Sequence, residues 1–136
     1  HGPTSNANGA IDYDSSFKIT GGIIVAAGSS GMAQAPGSTS TQYSLLVTFS
    51  KSKSANSLFH IQKSDGTELL TFAPAKTYQS IAVSMPELIK GSSYDIYLGG
   101  SSTGTLKDGL YTGGAYSGGT KSTTLTISST TTKLNL

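Results

Sequence analysis

Wherever this chain is apolar it tends to alternate with a period of two, and helical periodicity is nearly absent. From Tyr43 to Phe49 the pattern sets Leu45, Val47 and Phe49 on one face and Ser44, Leu46 and Thr48 on the other. Tyr94, Ile96 and Leu98 oppose Asp95 and Tyr97, Ile81 and Val83 share a face, and Leu125 and Ile127 alternate with Thr124, Thr126 and Ser128. The segments Leu58–Gln62 and Leu69–Phe72 flank Asp65-Gly66, a hairpin signal because both residues tolerate positive φ. The one helix candidate is a single turn over Met85–Lys90, opened by Pro86 and closed by Gly91. Six or seven short strands in roughly a hundred residues predict a β-sandwich.

Composition decides whether that pattern can fold. The chain holds 23 serines, 18 threonines and 17 glycines, a bias also met in disordered segments. Disorder, however, goes with high net charge and few aliphatics, whereas here the net charge is +2 and Ile, Val, Leu, Phe and Tyr recur in runs. Threonine-rich strands with many turns are the better reading. The lack of cysteine removes disulfide scaffolds, thiolate zinc sites and a cysteine nucleophile. All nine basic residues are lysine, so the arginine contacts and basic stripe of a nucleic-acid binder are missing. No apolar run approaches a membrane span and no signal-peptide pattern opens the chain, which predicts a mature or truncated form. Abundant Ser, Thr and Gly without Cys points to a secreted or bacterial cell-surface location.

The first 35 residues read differently. From Asn8 to Gly31 a polar loop, a short strand (Phe17–Thr20), a Gly21-Gly22 corner and a second strand (Ile23–Ala27) follow one another without a hairpin signal. A coil of a right-handed parallel β-helix reads this way. One coil cannot bury itself, so further coils are expected upstream of His1. The strings Asn8-Gly9-Ala10-Ile11-Asp12-Tyr13-Asp14, Phe17-Lys18-Ile19-Thr20-Gly21-Gly22 and Ser29-Ser30-Gly31-Met32-Ala33-Gln34, continuing through Tyr78–Ile81, Leu88–Tyr94 and Asp108–Gly114, resemble the C-terminal part of clostridial cell-surface carbohydrate-binding β-helix proteins. That resemblance implies a solenoid with calcium sites that binds acidic pectin-type glycans such as polygalacturonate. The expected fold is therefore all-β: a short parallel β-helix-like coil over residues 1–35, then an antiparallel β-sandwich over 36–136 that caps the solenoid. An open coil would pair with another copy through residues 10–30, giving a homo-oligomer, or fold back on the sandwich.

Asp12 and Asp14 are two apart, so in an extended segment both carboxylates leave one face. Asn8, with Asn6 upstream, can add amide oxygen, and a flexible oxygen-rich loop suits Ca²⁺. The same residues also suit plain turn duty, accepting backbone N–H groups beside glycine. Seven tyrosines and no tryptophan supply rings that lie flat on sugar faces while the hydroxyl hydrogen-bonds, or that simply thicken a thin core. Tyr13, beside the aspartates, and Tyr111 and Tyr116, among small neighbours, are the glycan candidates. Catalysis lacks its parts. His60 faces away from Phe59 and Ile61 with no nucleophile elbow nearby, His1 is incidental, and Glu68 and Glu87 are the only glutamates for a glycosidase pair. Lys51 and Lys53 read as solubilising edge lysines. The expectation is a non-catalytic, calcium-assisted binder of acidic plant cell-wall polysaccharide. Its rivals are a structural or adhesin spacer or a solenoid-capping domain and, behind them, a polysaccharide lyase fragment.

Overall fold

The computed structural model describes all 136 residues, and the chain is all-β with no helical segment. Twelve strands form: β1 (Ile24–Gly28), β2 (Ser44–Lys53), β3 (Phe59–Lys63), β4 (Glu68–Phe72), β5 (Tyr78–Ser84), β6 (Ser93–Leu98), β7 (Ser101–Ser102), β8 (Thr105–Lys107), β9 (Leu110–Thr112), β10 (Tyr116–Ser117), β11 (Thr120–Thr126) and β12 (Thr131–Asn135). They build a four-stranded sheet in the order β1-β5-β2-β12 and a six-stranded sheet in the order β11-β6-β3-β4-β9-β8, with β7 and β10 as a separate short ribbon.

The two large sheets face each other across one core. Leu45, Val47, Phe49, Ile81 and Val83 come from the four-stranded sheet, and Phe59, Ile61, Leu70, Phe72, Tyr94, Ile96 and Leu125 from the six-stranded one. These are the inward faces that the period-two pattern predicts, because a strand sends alternate side chains to opposite sides. Phe49 packs edge-on against Phe59 and Tyr78, with ring centroids at 6.5 and 5.7 Å. Such edge-to-face pairs add to the hydrophobic term that holds the layers together.

The Asp65-Gly66 turn joins β3 to β4, although of the two residues only Gly66 takes positive φ. Gly66 takes φ +88°, its N–H donates to the Lys63 carbonyl, and Asp65 Oδ1 accepts the Thr67 N–H at 2.8 Å. A register shift follows between Ile61 and Gln62, so Gln62 pairs with Glu68. The Met85–Lys90 segment does not form a helical turn. Leu88 N–H bonds the Met85 carbonyl as an isolated turn, and buried Tyr94 occupies the segment by donating to the Glu87 carbonyl and accepting from Ile89 N–H.

The N-terminal coil is where the structure departs from expectation. Instead of a parallel β-helix turn, Ile24–Gly28 becomes β1 and pairs antiparallel with β5, from Ile24↔Ser84 to Gly28↔Ser80. The one parallel pairing of the large sheets lies elsewhere, between β12 and β2. The apolar run marks a strand but carries no label for its partner, and β5 offers a free edge with matching small residues. Gly2 and Pro3 bond β1 in turn, through Gly2 N–H to the Ala27 carbonyl and Ser29 N–H to the Pro3 carbonyl. The rest of the segment folds back over the outer face of the four-stranded sheet. There Ile11, Ala33 and Ala35 pack on Leu46 and Ala82. Backbone crossings are close: a Cβ on Gly31 would strike the Asn6 carbonyl, and one on Gly9 the Met32 carbonyl. The Ser-Ser-Gly-Met-Ala-Gln string thus anchors the Asn8 loop, with Ser29 Oγ donating to the Asn8 carbonyl and Ser80 Oγ to the Ser29 carbonyl.

Candidate functional site

Each outer face of the sandwich carries a cleft with a tyrosine in its wall. On the four-stranded side, Tyr13, Gln34, Pro36, Leu46, Thr131 and Lys133 line a cavity of about 300 Å³. Tyr13 is held from three sides. Its N–H donates to Gln34 Oε1 at 2.7 Å, the Gln34 amide returns a longer bond to its carbonyl at 3.4 Å, and its hydroxyl donates to the Ala35 carbonyl at 3.0 Å. Phe17 meets the ring edge-on at 6.0 Å. Thr131 is fixed as well, donating to the Pro36 carbonyl. Lys133, on the edge strand β12, is exposed and joins no ion pair. The cavity therefore presents a pre-set ring beside an uncompensated cation.

On the six-stranded side, Glu68, Leu69, Leu70, Thr71, Tyr111, Gly113 and Gly114 line a second cleft of about 360 Å³. Strand register explains its floor. His60 lies opposite Thr71 and Tyr97, while Gln62 lies opposite Glu68 and Asp95, so polar and aromatic residues share the outward face. Lys121 pairs with Asp95 at 2.8 Å and Thr124 Oγ1 donates to the same carboxylate, which together hold Asp95 below the usual carboxylate range. The glycine-rich run from Gly99 to Gly119 then loops over this face. Left-handed backbone at Gly113 and Gly114 makes the turn possible, and a Cβ on Gly114 would collide with Gly104.

His60 is fully buried beneath that loop. Nδ1 meets Thr71 Oγ1 at 2.8 Å, Nε2 meets Gln62 Oε1 at 3.1 Å, and Tyr116 stacks on the ring at 3.8 Å and 7°. Burial pushes the imidazole below its ordinary pKa, although the Gln62 bond and the Glu68 charge pull the other way. Tyr116 is fixed by its hydroxyl on the Gly99 carbonyl at 2.8 Å and by its N–H on Glu68 Oε1 at 2.7 Å. Burial raises its phenol pKa, helped by Tyr97 and Glu68.

The residues singled out from sequence fall in different places. Tyr13 and Tyr111 each line a cleft, while Tyr116 roofs His60. Asp12, Asp14 and Asn8 are exposed on the N-terminal loop. Asn8, with its amide nitrogen turned inward, donates to Asp12 Oδ2 and to the Ala7 carbonyl, both at 3.0 Å. That side chain offers Asp12 a donor rather than a third oxygen. No group of three or more His, Asp and Glu residues converges anywhere in the chain. Both ring nitrogens of His60 are engaged, by Thr71 and Gln62. His1 stacks on Phe72 at 5.8 Å and accepts the Ala75 N–H. Lys53 lies over the Phe49 ring at 5.1 Å, a packing role, and Lys51 is exposed. Sequence reasoning did not single out Lys133, Gln34 or Thr71. Lys133 stands 120 positions from Tyr13, and only the parallel β12–β2 pairing brings them to one cavity. No helix is long and apolar enough to cross a membrane. No protein-family model, curated protein or solved structure matches the chain.

Proposed function

We propose that this chain is a non-catalytic carbohydrate-binding module of a secreted or cell-surface protein, and that it holds an acidic plant cell-wall polysaccharide of the polygalacturonate kind. The single observation that carries the reading is the Tyr13 cavity. A tyrosine whose backbone is clamped by Gln34 and whose ring is held by its hydroxyl on the Ala35 carbonyl and by the edge of Phe17 shares this cavity with the unpaired ammonium of Lys133. An immobilised ring loses little entropy when a sugar face stacks on it, and a lysine meets a uronate carboxylate as a point charge. Gln34 and Thr131, the latter tied to the Pro36 carbonyl, add polar groups to the same wall.

Ca²⁺ enters this reading as an assisting ion. Asp12 and Asp14 flank Tyr13 and supply two carboxylates, fewer than the roughly six to eight oxygens that calcium takes, so uronates and water would complete the shell. The ion's chemistry is to bridge anions of like charge. The test is retention on polygalacturonate gels with Ca²⁺ or with chelator, for the parent chain, Lys133→Ala, Tyr13→Ala and the double variant Asp12→Ala with Asp14→Ala. The reading predicts retention that falls about tenfold in Lys133→Ala and Tyr13→Ala, and that weakens with chelator only while the aspartates are present. No retention of the parent chain in either buffer would return the domain to a spacer or capping role.

A further inference from the structure

We infer that the outer face of the six-stranded sheet carries a second sugar site of opposite chemistry, taking a neutral, hydroxyl-rich glycan through Glu68, Thr71 and Tyr111. The inference rests on the carbohydrate-binding reading above but uses none of its residues.

The cleft of about 360 Å³ lies in the lower part of the size range of ligand sites. Glu68 sets its sign. One carboxylate oxygen accepts the Tyr116 N–H, and Glu68 itself has no cationic partner, since the chain's single ion pair joins Lys121 to Asp95. An unneutralised carboxylate repels uronates and accepts hydrogen bonds from sugar hydroxyls, which are roughly twice as strong as neutral ones. The floor adds no compensating charge. Thr71 is 4% exposed and its hydroxyl is shared with His60, whose two ring nitrogens are both engaged. Burial holds that imidazole neutral to lower pH than usual. Tyr111 supplies a half-buried ring as the wall. Gly113 also lines the cleft, and nothing lies within 4 Å of where its side chain would stand. A carboxylate acceptor, a hydroxyl and an aromatic face match the hydroxyl rim and C–H face of an uncharged pyranose.

The test is affinity electrophoresis and calorimetry against galactomannan, xyloglucan and mixed-linkage β-glucan as neutral probes, polygalacturonate as the anionic probe and chitosan as the cationic one. At least one neutral polymer should be retained. That retention should fall about tenfold in Glu68→Gln and in Tyr111→Ala, and be unchanged by chelator or Lys133→Ala. Glu68→Gln keeps an acceptor for the Tyr116 N–H, so this variant should melt as a folded chain. The inference is overturned if no neutral polymer is retained, if retention survives both Glu68→Gln and Tyr111→Ala, or if only chitosan binds. Polygalacturonate retained through Lys133 without any neutral polymer would sink this site alone. Neutral retention dependent on Glu68, without polygalacturonate binding, would sink the acidic-polysaccharide reading alone.

Discussion

The hydroxyl of Ser44 is fully buried, and among buried side-chain polar atoms it alone has no hydrogen-bond partner. Its neighbour across the ladder, Ser84, is satisfied by the Gln42 amide and the Tyr43 carbonyl. An orphaned buried polar atom costs about 1–3 kcal/mol, so Ser44→Ala should raise stability by about 1 kcal/mol in a urea titration. His60 makes a prediction of opposite sense. Its folded pKa lies below the ordinary value of 6.5, chiefly through burial. As pH falls through 6.5 the unfolded chain takes up a proton that the folded chain refuses, so the unfolded state gains. Stability from this residue is complete above pH 6.5 and declines as pH drops toward the folded pKa. Melting temperatures recorded between pH 8 and 5 should therefore fall more steeply for the parent chain than for His60→Phe, which keeps the ring under Tyr116 but cannot titrate. Parallel curves would show that His60 titrates alike in both states.

Elements were legible wherever one chain segment carries its own instruction. The inward faces of β2, β3, β5, β6 and β11 follow from alternation, and the β3–β4 hairpin follows from Asp65-Gly66, whose geometry is local. Pairing over distance was not legible. Ile24–Gly28 reads as a strand in a coil or in a sheet alike, because nothing in the run names β5 as its partner. The glycine-rich stretch hides four very short strands, β7 to β10, whose existence depends on Gly99, Gly100, Gly109 and Gly114 taking positive φ and on backbone approach near Gly104. The candidate sites divide along the same line. Tyr13 stands out beside its aspartates and Tyr111 among small residues, but their partners Lys133 and Glu68 arrive from strands far away in sequence. The stacking of Tyr116 on His60 was not legible either, because the pair is far apart in sequence and a ring among small neighbours carries no sign of its partner.

At the scale of the molecule, one apolar layer leaves two outer faces with different residues lining their clefts. The N-terminal segment packs on Leu46 and Ala82 of the four-stranded sheet, and beside it Tyr13 and Lys133 line one cavity. The glycine-rich loop covers the middle of the six-stranded sheet and leaves Tyr111 next to Glu68. A net charge of +2 is too small to steer an anion to the whole surface, so any preference for acidic glycan must come from local groups. The most direct measurement of that claim is an amide NMR titration of the full chain with a galacturonate oligosaccharide. The account predicts saturable shifts concentrated at Tyr13, Gln34, Gly37, Thr131 and Lys133, with the β3 and β6 amides unmoved. Shifts that never saturate, or that gather around Glu68 and Tyr111 while Tyr13 and Lys133 stay still, would contradict it.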